Sequence, residues 1–339
     1  MKTSDTAIRA AIVDFCARAG ADPLLVQGAG GNVSWKERDV LWIKASGTWL
    51  SEAAQEDIFV PVDLAHLRDA VAAGEFSASP KALGDSGLRP SIETMLHSLM
   101  PHPVVVHVHA VEVLAHLVRA DWLDGLQQAL DSSGIAWAGV PYRKPGAELA
   151  EAVAQALAGA EASVVFLQNH GVVIGGADIA QVEAALAVLT TALANPLAAA
   201  APAAAAPAEL AAGTTTYALL EDAVVQRLAT EPALRARLER EWVLYPDHVV
   251  FLGPEAYVVA DTDALAQAAG AHAPELAFVR DVGVYAAPGF SKAKQVQLRC
   301  YADVIVRQAP QHVLHPLGAS EIGALLNWDA ERYRMSLSK

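Results

Sequence analysis

The stretch Val104-Val105-Val106-His107-Val108-His109 constrains this chain most. Valines at this density read as a buried strand. Side chains alternate across a strand, so His107 and His109 share one face while Val106 and Val108 take the other. Two imidazoles on one face, where a valine strand runs out, present two nitrogen ligands to one ion. A third histidine has a similar setting. The apolar run Val164-Val165-Phe166-Leu167 gives out into Gln168-Asn169-His170-Gly171. Three histidines at strand ends leave a coordination position open, which suits catalysis better than a closed structural site. The ordinary alternative is that each is a hydrogen-bonded or surface histidine, and a short motif alone does not separate the two.

Upstream stands a carboxylate that also has two readings. Pro90-Ser91 resembles a helix start, with Ser91 as N-cap and Glu93 in the first turn. Glu93 serves either chemistry beside the histidines or the positive end of the helix dipole. Two turns of small residues, Gly28-Ala29-Gly30-Gly31 and Ala45-Ser46-Gly47, lie on either side of the apolar run Val40-Leu41-Trp42-Ile43-Lys44. Such turns let backbone amides approach an anion, although plain tight turns look the same. No dinucleotide fingerprint is present, because Asn32-Val33-Ser34-Trp35 continues toward a strand instead of opening a helix. Arg89 is either an anion partner or a solvated loop arginine.

Five segments together resemble the class II aldolase/adducin family of zinc-dependent sugar-phosphate aldolases. They are Gly28-Ala29-Gly30-Gly31-Asn32-Val33-Ser34, Lys44-Ala45-Ser46-Gly47, Pro90-Ser91-Ile92-Glu93-Thr94, His107-Val108-His109 and Asn169-His170-Gly171. The likeness covers roughly residues 5–195. Beyond it, Tyr245-Pro246-Asp247-His248-Val249-Val250-Phe251 and Val282-Gly283-Val284-Tyr285 are similar to the extended aldolase portion of rhamnulose-phosphate aldolase/dehydrogenase-type proteins, with no dehydrogenase half.

The resemblance implies a three-layer α/β/α sandwich around one mainly antiparallel sheet. It implies that His107, His109 and His170 hold Zn²⁺ or another divalent ion such as Mn²⁺, Co²⁺ or Fe²⁺. Glu93 would be the acid/base, and Gly31, Asn32, Ser46, Gly47 and Ser91 would hold a substrate phosphate. The implied reaction is reversible retro-aldol cleavage of a ketose or sugar phosphate through an enediolate, in a cyclic homotetramer with sites between subunits. Decarboxylases, dehydratases and epimerases of the same family are the enzymatic alternatives, and an adducin-like interaction module without catalysis is another. The epimerase branch typically places aspartate where Glu93 stands. The chain departs from the family at Ala29 and Gly30, where a small hydroxyl residue is usual, and at Ile92, where simpler members often carry a second serine.

Composition narrows the class. The 24 basic residues against 38 acidic ones give a formal charge of −14, the wrong sign for nucleic acid or an anionic membrane. Cys16 and Cys300 build no disulfide framework, so a reducing cytoplasm is expected. Residues 1–20 lack the continuous apolar core of a signal peptide, and no apolar run could span a bilayer. The N-terminal stretch reads instead as an amphipathic helix with Ile8, Ile12 and Phe15 on one face.

Strands and helices then alternate, which predicts an α/β fold layered around one sheet. Strands are expected at 40–44, 58–60, 135–140 and 172–175. Helices are expected at 64–71, 111–119, 122–130, 148–157 and 179–194. The alanine run broken by Pro196, Pro202 and Pro207 predicts a linker at 196–213 between a domain at 1–195 and a C-terminal α/β extension at 214–339 packed on it. In the extension, helices are expected at 216–229, 231–240 and 291–308, strands at 248–252 and 256–260, and a hairpin across 278–286. The aromatic end around Trp328 and Tyr333 is a candidate for closing a site or a subunit contact. His97, one helical turn past Glu93, is the remaining histidine nearest the chemistry; the others read as structural or surface residues.

Overall fold

Alternation along the valine strand builds the middle of the larger sheet. The computed structural model describes residues 2–197, 200, 206–268, 273–330 and 332. Met1, His272, Tyr333 and residues 198–199 and 201–205 of the expected linker lie outside the described residues.

The first part of the chain runs α1 (Lys2–Ala21), β1 (Asn32–Glu37), β2 (Val40–Lys44), β3 (Phe59–Asp63), α2 (Leu64–Ala72) and α3 (Thr94–Leu99). It continues through β4 (Val104–Val108), α4 (Val111–Leu117), α5 (Trp122–Leu130), β5 (Trp137–Val140) and α6 (Ala147–Leu157). β6 (Val164–Leu167), β7 (Gly171–Gly176) and α7 (Ile179–Ala192) complete it. These strands form one seven-stranded sheet in the order β3-β2-β1-β4-β7-β6-β5. Its neighbours pair antiparallel, except that β5 runs parallel to β6. The sheet is therefore mixed, though mainly antiparallel.

Two helical layers cover it. Val104, Val106 and Val108 pack with residues of α1, α4, α5 and α7, among them Ile12, Leu117, Trp122 and Leu189. Val105 points the other way, into Leu96 of α3 and Leu149 and Val153 of α6. The strand is buried on both faces, which is why its sequence is a continuous apolar run rather than an alternation with polar residues. Ile12 and Phe15 are buried as their spacing predicts, but Ile8 is 41 % exposed, so the buried face of α1 is shorter than the sequence pattern.

The C-terminal part holds the larger corrections. A strand, β8 (Glu209–Ala212), lies within the stretch read as linker and pairs with β9 (Thr215–Leu219), where a helix was expected. Then follow α8 (Ala223–Thr230), α9 (Pro232–Leu238) and α10 (Pro246–Leu252). The last is a helix where Val249-Val250-Phe251 predicted a strand. Pro246 stands in its first turn and Gly253 ends it at φ 81°, the usual punctuation of a helix, and these signals prevail over local β propensity. The chain ends with β10 (Val258–Val259), α11 (Thr262–Ala268), β11 (Leu276–Val279), β12 (Gly283–Ala286), α12 (Lys292–Ile305) and α13 (Ala319–Leu326). A second sheet, β10-β11-β12-β9-β8, gathers these strands. Its core is continuous with the first part, since Val111, Leu114 and Val118 around α4 pack with Leu298, Tyr301 and Ile305 of α12. Trp328 lies under Lys144, whose Nζ is 4.7 Å from the ring centre. No described helix is long and apolar enough to cross a membrane.

Both cysteines are free and buried, Cys16 in the first core and Cys300 in the second, and burial pushes each thiol up to about 12. His248 is also fully buried, ringed by Trp242 at 4.2 Å, Tyr301 at 4.7 Å and Tyr245 at 5.5 Å between ring centres. Neither of its nitrogens has a hydrogen-bond partner among the described residues, and burial lowers its pKa from 6.5 to about 3. Above pH 6.5 the ring is neutral whether folded or unfolded. Below it the unfolded chain binds the extra proton, so stability is lost as pH falls from 6.5 toward about 3. The slope from one such group reaches about 1.4 kcal/mol per pH unit. His248→Leu should therefore flatten the fall in melting temperature between neutral pH and mild acid. A melting curve as acid-sensitive as that of the wild type would show that this ring does not contribute.

Candidate metal centre

Sheet register sets the site. In β4, His107 pairs with Asn32 of β1 on one side and Val173 of β7 on the other. His109 follows one residue past the strand end, and His170 closes the short connection from β6 to β7. The ligand nitrogens of His107, His109 and His170 lie within 4.8 Å of one another, and all three residues are buried. His107 Nε2 stands 3.1 Å from His109 Nε2. Gly171 makes the crowding possible, because a Cβ there would lie 2.6 Å from the Val108 carbonyl and about 3 Å from the rings of His107 and His109.

His107 Nδ1 is 3.1 Å from the Val172 carbonyl, which can only accept, so Nδ1 carries a proton and Nε2 is the nitrogen turned toward the other rings. Burial lowers the His109 pKa to about 3, so that ring is neutral near pH 7. Imidazole nitrogens 3.1 Å apart need either a shared N–H or a cation between them. The donor set fits a divalent ion of borderline softness.

Glu93 does not sit inside a helix. α3 begins one residue later, and Glu93 occupies the N-cap position without capping the helix through its side chain. The expected start at Ser91 is thus too early, although the Ser91 hydroxyl does accept from the Glu93 amide at 3.2 Å. The freed carboxylate turns to the histidines, with Oε2 3.6 Å from His107 Nε2 and Oε1 3.5 Å from His170 Nε2. Asn32 Nδ2 donates to Oε2 at 2.8 Å, while Oε1 is buried with no hydrogen-bond partner among the described residues. Burial alone would raise the Glu93 pKa, but His107, His170 and the Asn32 amide outweigh it and hold the group ionised, below the usual carboxylate range. His97 is one turn on and buried, with Nδ1 2.7 Å from Ser34 Oγ.

A recess opens beside the histidines. Gly31, Asn32, Ser46, Gly47, Ser91 and Glu93 all line it, along with His109 and His170. The Ser46 turn reaches Ser91 because the Ser46 amide donates to the Arg89 carbonyl and the Ser91 amide to that of Lys44. Arg89 itself is exposed and not part of the lining. Two charged lining residues had no role in the sequence reading. Lys44 is buried, with Nζ 3.2 Å from the Ala29 carbonyl, and a lysine ending an apolar strand was the signal for it. Asp247 comes from α10; it lay within the 245–251 segment similar to the extended aldolase portion, with no role given to it there. Asn169, in the left-handed region at φ 53°, donates from Nδ2 to the carbonyls of Leu244 and His315, both at 2.8 Å. That fixes the C-terminal part against the residue next to His170.

The profile described as the class II aldolase and adducin N-terminal domain matches residues 10–195. The chain belongs to this family. A curated relative, the uncharacterized oxidoreductase YuxG of Bacillus subtilis (strain 168), is 29 % identical over 174 residues, covering 46 % of this chain and 25 % of that protein. The chain therefore spans about a quarter of the length of the curated relative it matches. Among solved structures, the N-terminal class II aldolase domain of a conserved Thermoplasma acidophilum protein is 25 % identical, with a TM-score of 0.45. That match covers 54 % of this chain and 90 % of that one. A sugar-phosphate aldolase from Thermotoga maritima is 18 % identical with a TM-score of 0.45, covering 56 % and 93 %. The family contains aldolases, epimerases and decarboxylases, and the buried triad of this member can hold a metal ion.

Proposed function

We propose that this family member is a divalent-metal-dependent carbon–carbon lyase that reversibly cleaves a ketose or sugar phosphate by retro-aldol chemistry. The observation that carries the reading is Glu93. Its two oxygens face two of the triad histidines at 3.5 and 3.6 Å, and it is excused from helix capping. His107, His109 and His170 would hold the ion, for which Zn²⁺ suits the all-nitrogen ligation. When bound, it would supply Lewis acidity toward a substrate carbonyl oxygen.

The chain's own residues do the rest. Breaking the bond beside the carbinol carbon releases an aldehyde and leaves the electron pair as an enediolate. Glu93, ionised at rest, takes up the carbinol hydroxyl's proton as that bond breaks and delivers it to the enediolate carbon; in the condensation direction it removes the carbon's proton and returns it to the aldehyde oxygen. Being ionised, Glu93 is already the base that condensation needs, and Asn32 fixes its orientation. Gly31, Asn32, Ser46, Gly47 and Ser91 orient the substrate's anionic group, with Lys44 beside them. A cytoplasmic homotetramer with a domain at 1–195 and an appended C-terminal unit completes the proposal.

Phosphorylated and free ketoses and sugar acids, screened with divalent metal for aldehyde release, test it directly. Release of carbon dioxide or an epimer without aldehyde would replace the lyase by another reaction of the family. Ser46→Ala should raise KM more than it lowers kcat, and inorganic phosphate should compete with substrate. Activity indifferent to phosphate would remove the phosphate from the assignment.

A further inference from the structure

Asp247 reaches the metal centre from outside the part of the chain that carries the family motifs. It stands in the first turn of α10, 3 % exposed, with Oδ2 3.6 Å from His109 Nδ1. The opposite nitrogen of the same ring, Nε2, faces His107. An imidazole that gives Nε2 to an ion keeps its proton on Nδ1, and a buried N–H needs an acceptor. His107 has the Val172 carbonyl of the neighbouring strand for this purpose. His109 lies beyond the end of β4, and its Nδ1 faces the carboxylate instead.

The surroundings hold that carboxylate in place. Gln297 Nε2, from α12, is 3.3 Å from Asp247 Oδ2 and 3.4 Å from the Gln27 carbonyl. Gln27 Nε2 in turn is 3.4 Å from the His109 carbonyl. Gln27, His109, Asp247 and Gln297 thus close a buried ring of contacts across the two parts of the chain. Gly30 leaves the room for it, since a Cβ there would lie 3.2 Å from both Asp247 Oδ2 and His109 Nδ1. The missing side chain in the first glycine turn is where the C-terminal carboxylate meets the histidine.

We infer that Asp247 is the positioning residue of His109, accepting its Nδ1 proton and fixing the ring so that Nε2 faces the ion. Metal retention then depends on docking of the C-terminal unit. This rests on the triad being a metal centre. Outer partners of metal-bound histidines are worth roughly 10–100-fold in metal affinity.

The test uses the full chain as wild type, Asp247→Ala, Asp247→Asn and His109→Ala. Each is loaded with zinc, and transfer to a chromogenic chelator is followed; cobalt-loaded samples give visible spectra. Asp247→Ala should release zinc about 10–100-fold faster than wild type and shift the cobalt bands. Asp247→Asn preserves the shape and one acceptor oxygen and should fall between, which keeps the test valid if the alanine variant misfolds. The gain in melting temperature on adding metal should shrink in the same order. A merely structural aspartate would lower the metal-free and metal-loaded melting temperatures equally and leave release rate and spectrum unchanged, and that result overturns the inference alone. A wild type that takes up no more metal than His109→Ala overturns the metal centre itself, and this inference with it.

Discussion

Glu93→Gln is expected to keep the fold and the metal content while losing about 10²–10⁴-fold in turnover, the usual contribution of a positioned acid/base. The substitution preserves the shape of the side chain and leaves an oxygen to accept from Asn32, so the packing at the head of α3 has no reason to change. What it removes is the ability to carry a proton. The sharper readout is exchange of the substrate proton at the enediolate carbon with solvent deuterium. Exchange needs the carboxylate and the ion but not completion of the carbon–carbon step. If Glu93 were only an acid favoured by the helix dipole, the variant would lose roughly 0.3–1 kcal/mol of stability and keep its chemistry. Wild-type exchange in Glu93→Gln would sink the proton-transfer role and the lyase mechanism built on it.

Replacing His107, His109 or His170 by alanine is expected to take bound metal from stoichiometric to trace. The ligand nitrogens lie within 4.8 Å of one another, so each removal leaves only two protein ligands in a pocket shaped for three. Acid should have the same effect on the intact protein, because imidazoles bind metal only when unprotonated. Elemental analysis of the purified proteins reads this directly. Zinc retained at full stoichiometry by His109→Ala would remove that residue from the ligand set.

The first part of the chain was legible because its signals are local. A valine run tells of a strand whatever lies elsewhere, and alternation then places His107 and His109 on one face. The head of α3 was off by a few residues because the Ser91 hydroxyl does bond a following amide, as an N-cap would, yet the helix waits until Thr94. The C-terminal part misled for the converse reason. Val249-Val250-Phe251 has the composition of a strand, but Pro246 and Gly253 bracket it as a helix and packing between other elements buries it in that form. The strand Thr215–Leu219, of which residues 216–219 were read as helix, finds partners in β8 and β12 that no local pattern announces. Asp247 was invisible as a site residue for the same reason. Its partner is a histidine far back in the chain, and only the docked C-terminal part brings them together.

The placement of the two cysteines gives the molecule a pair of built-in reporters. Alkylating reagents attack thiolates, and both thiols are buried with pKa values near 12, so neither reacts while its surroundings stay closed. Cys16 is sealed by the core beneath the seven-stranded sheet, and Cys300 by the core of the C-terminal part. Pulsed labelling followed by peptide mapping therefore reads the opening of each region separately. Equal rates at the two thiols mean one cooperative unit, whereas faster labelling of Cys300 means that the layer carrying Asp247 opens while the histidines remain folded.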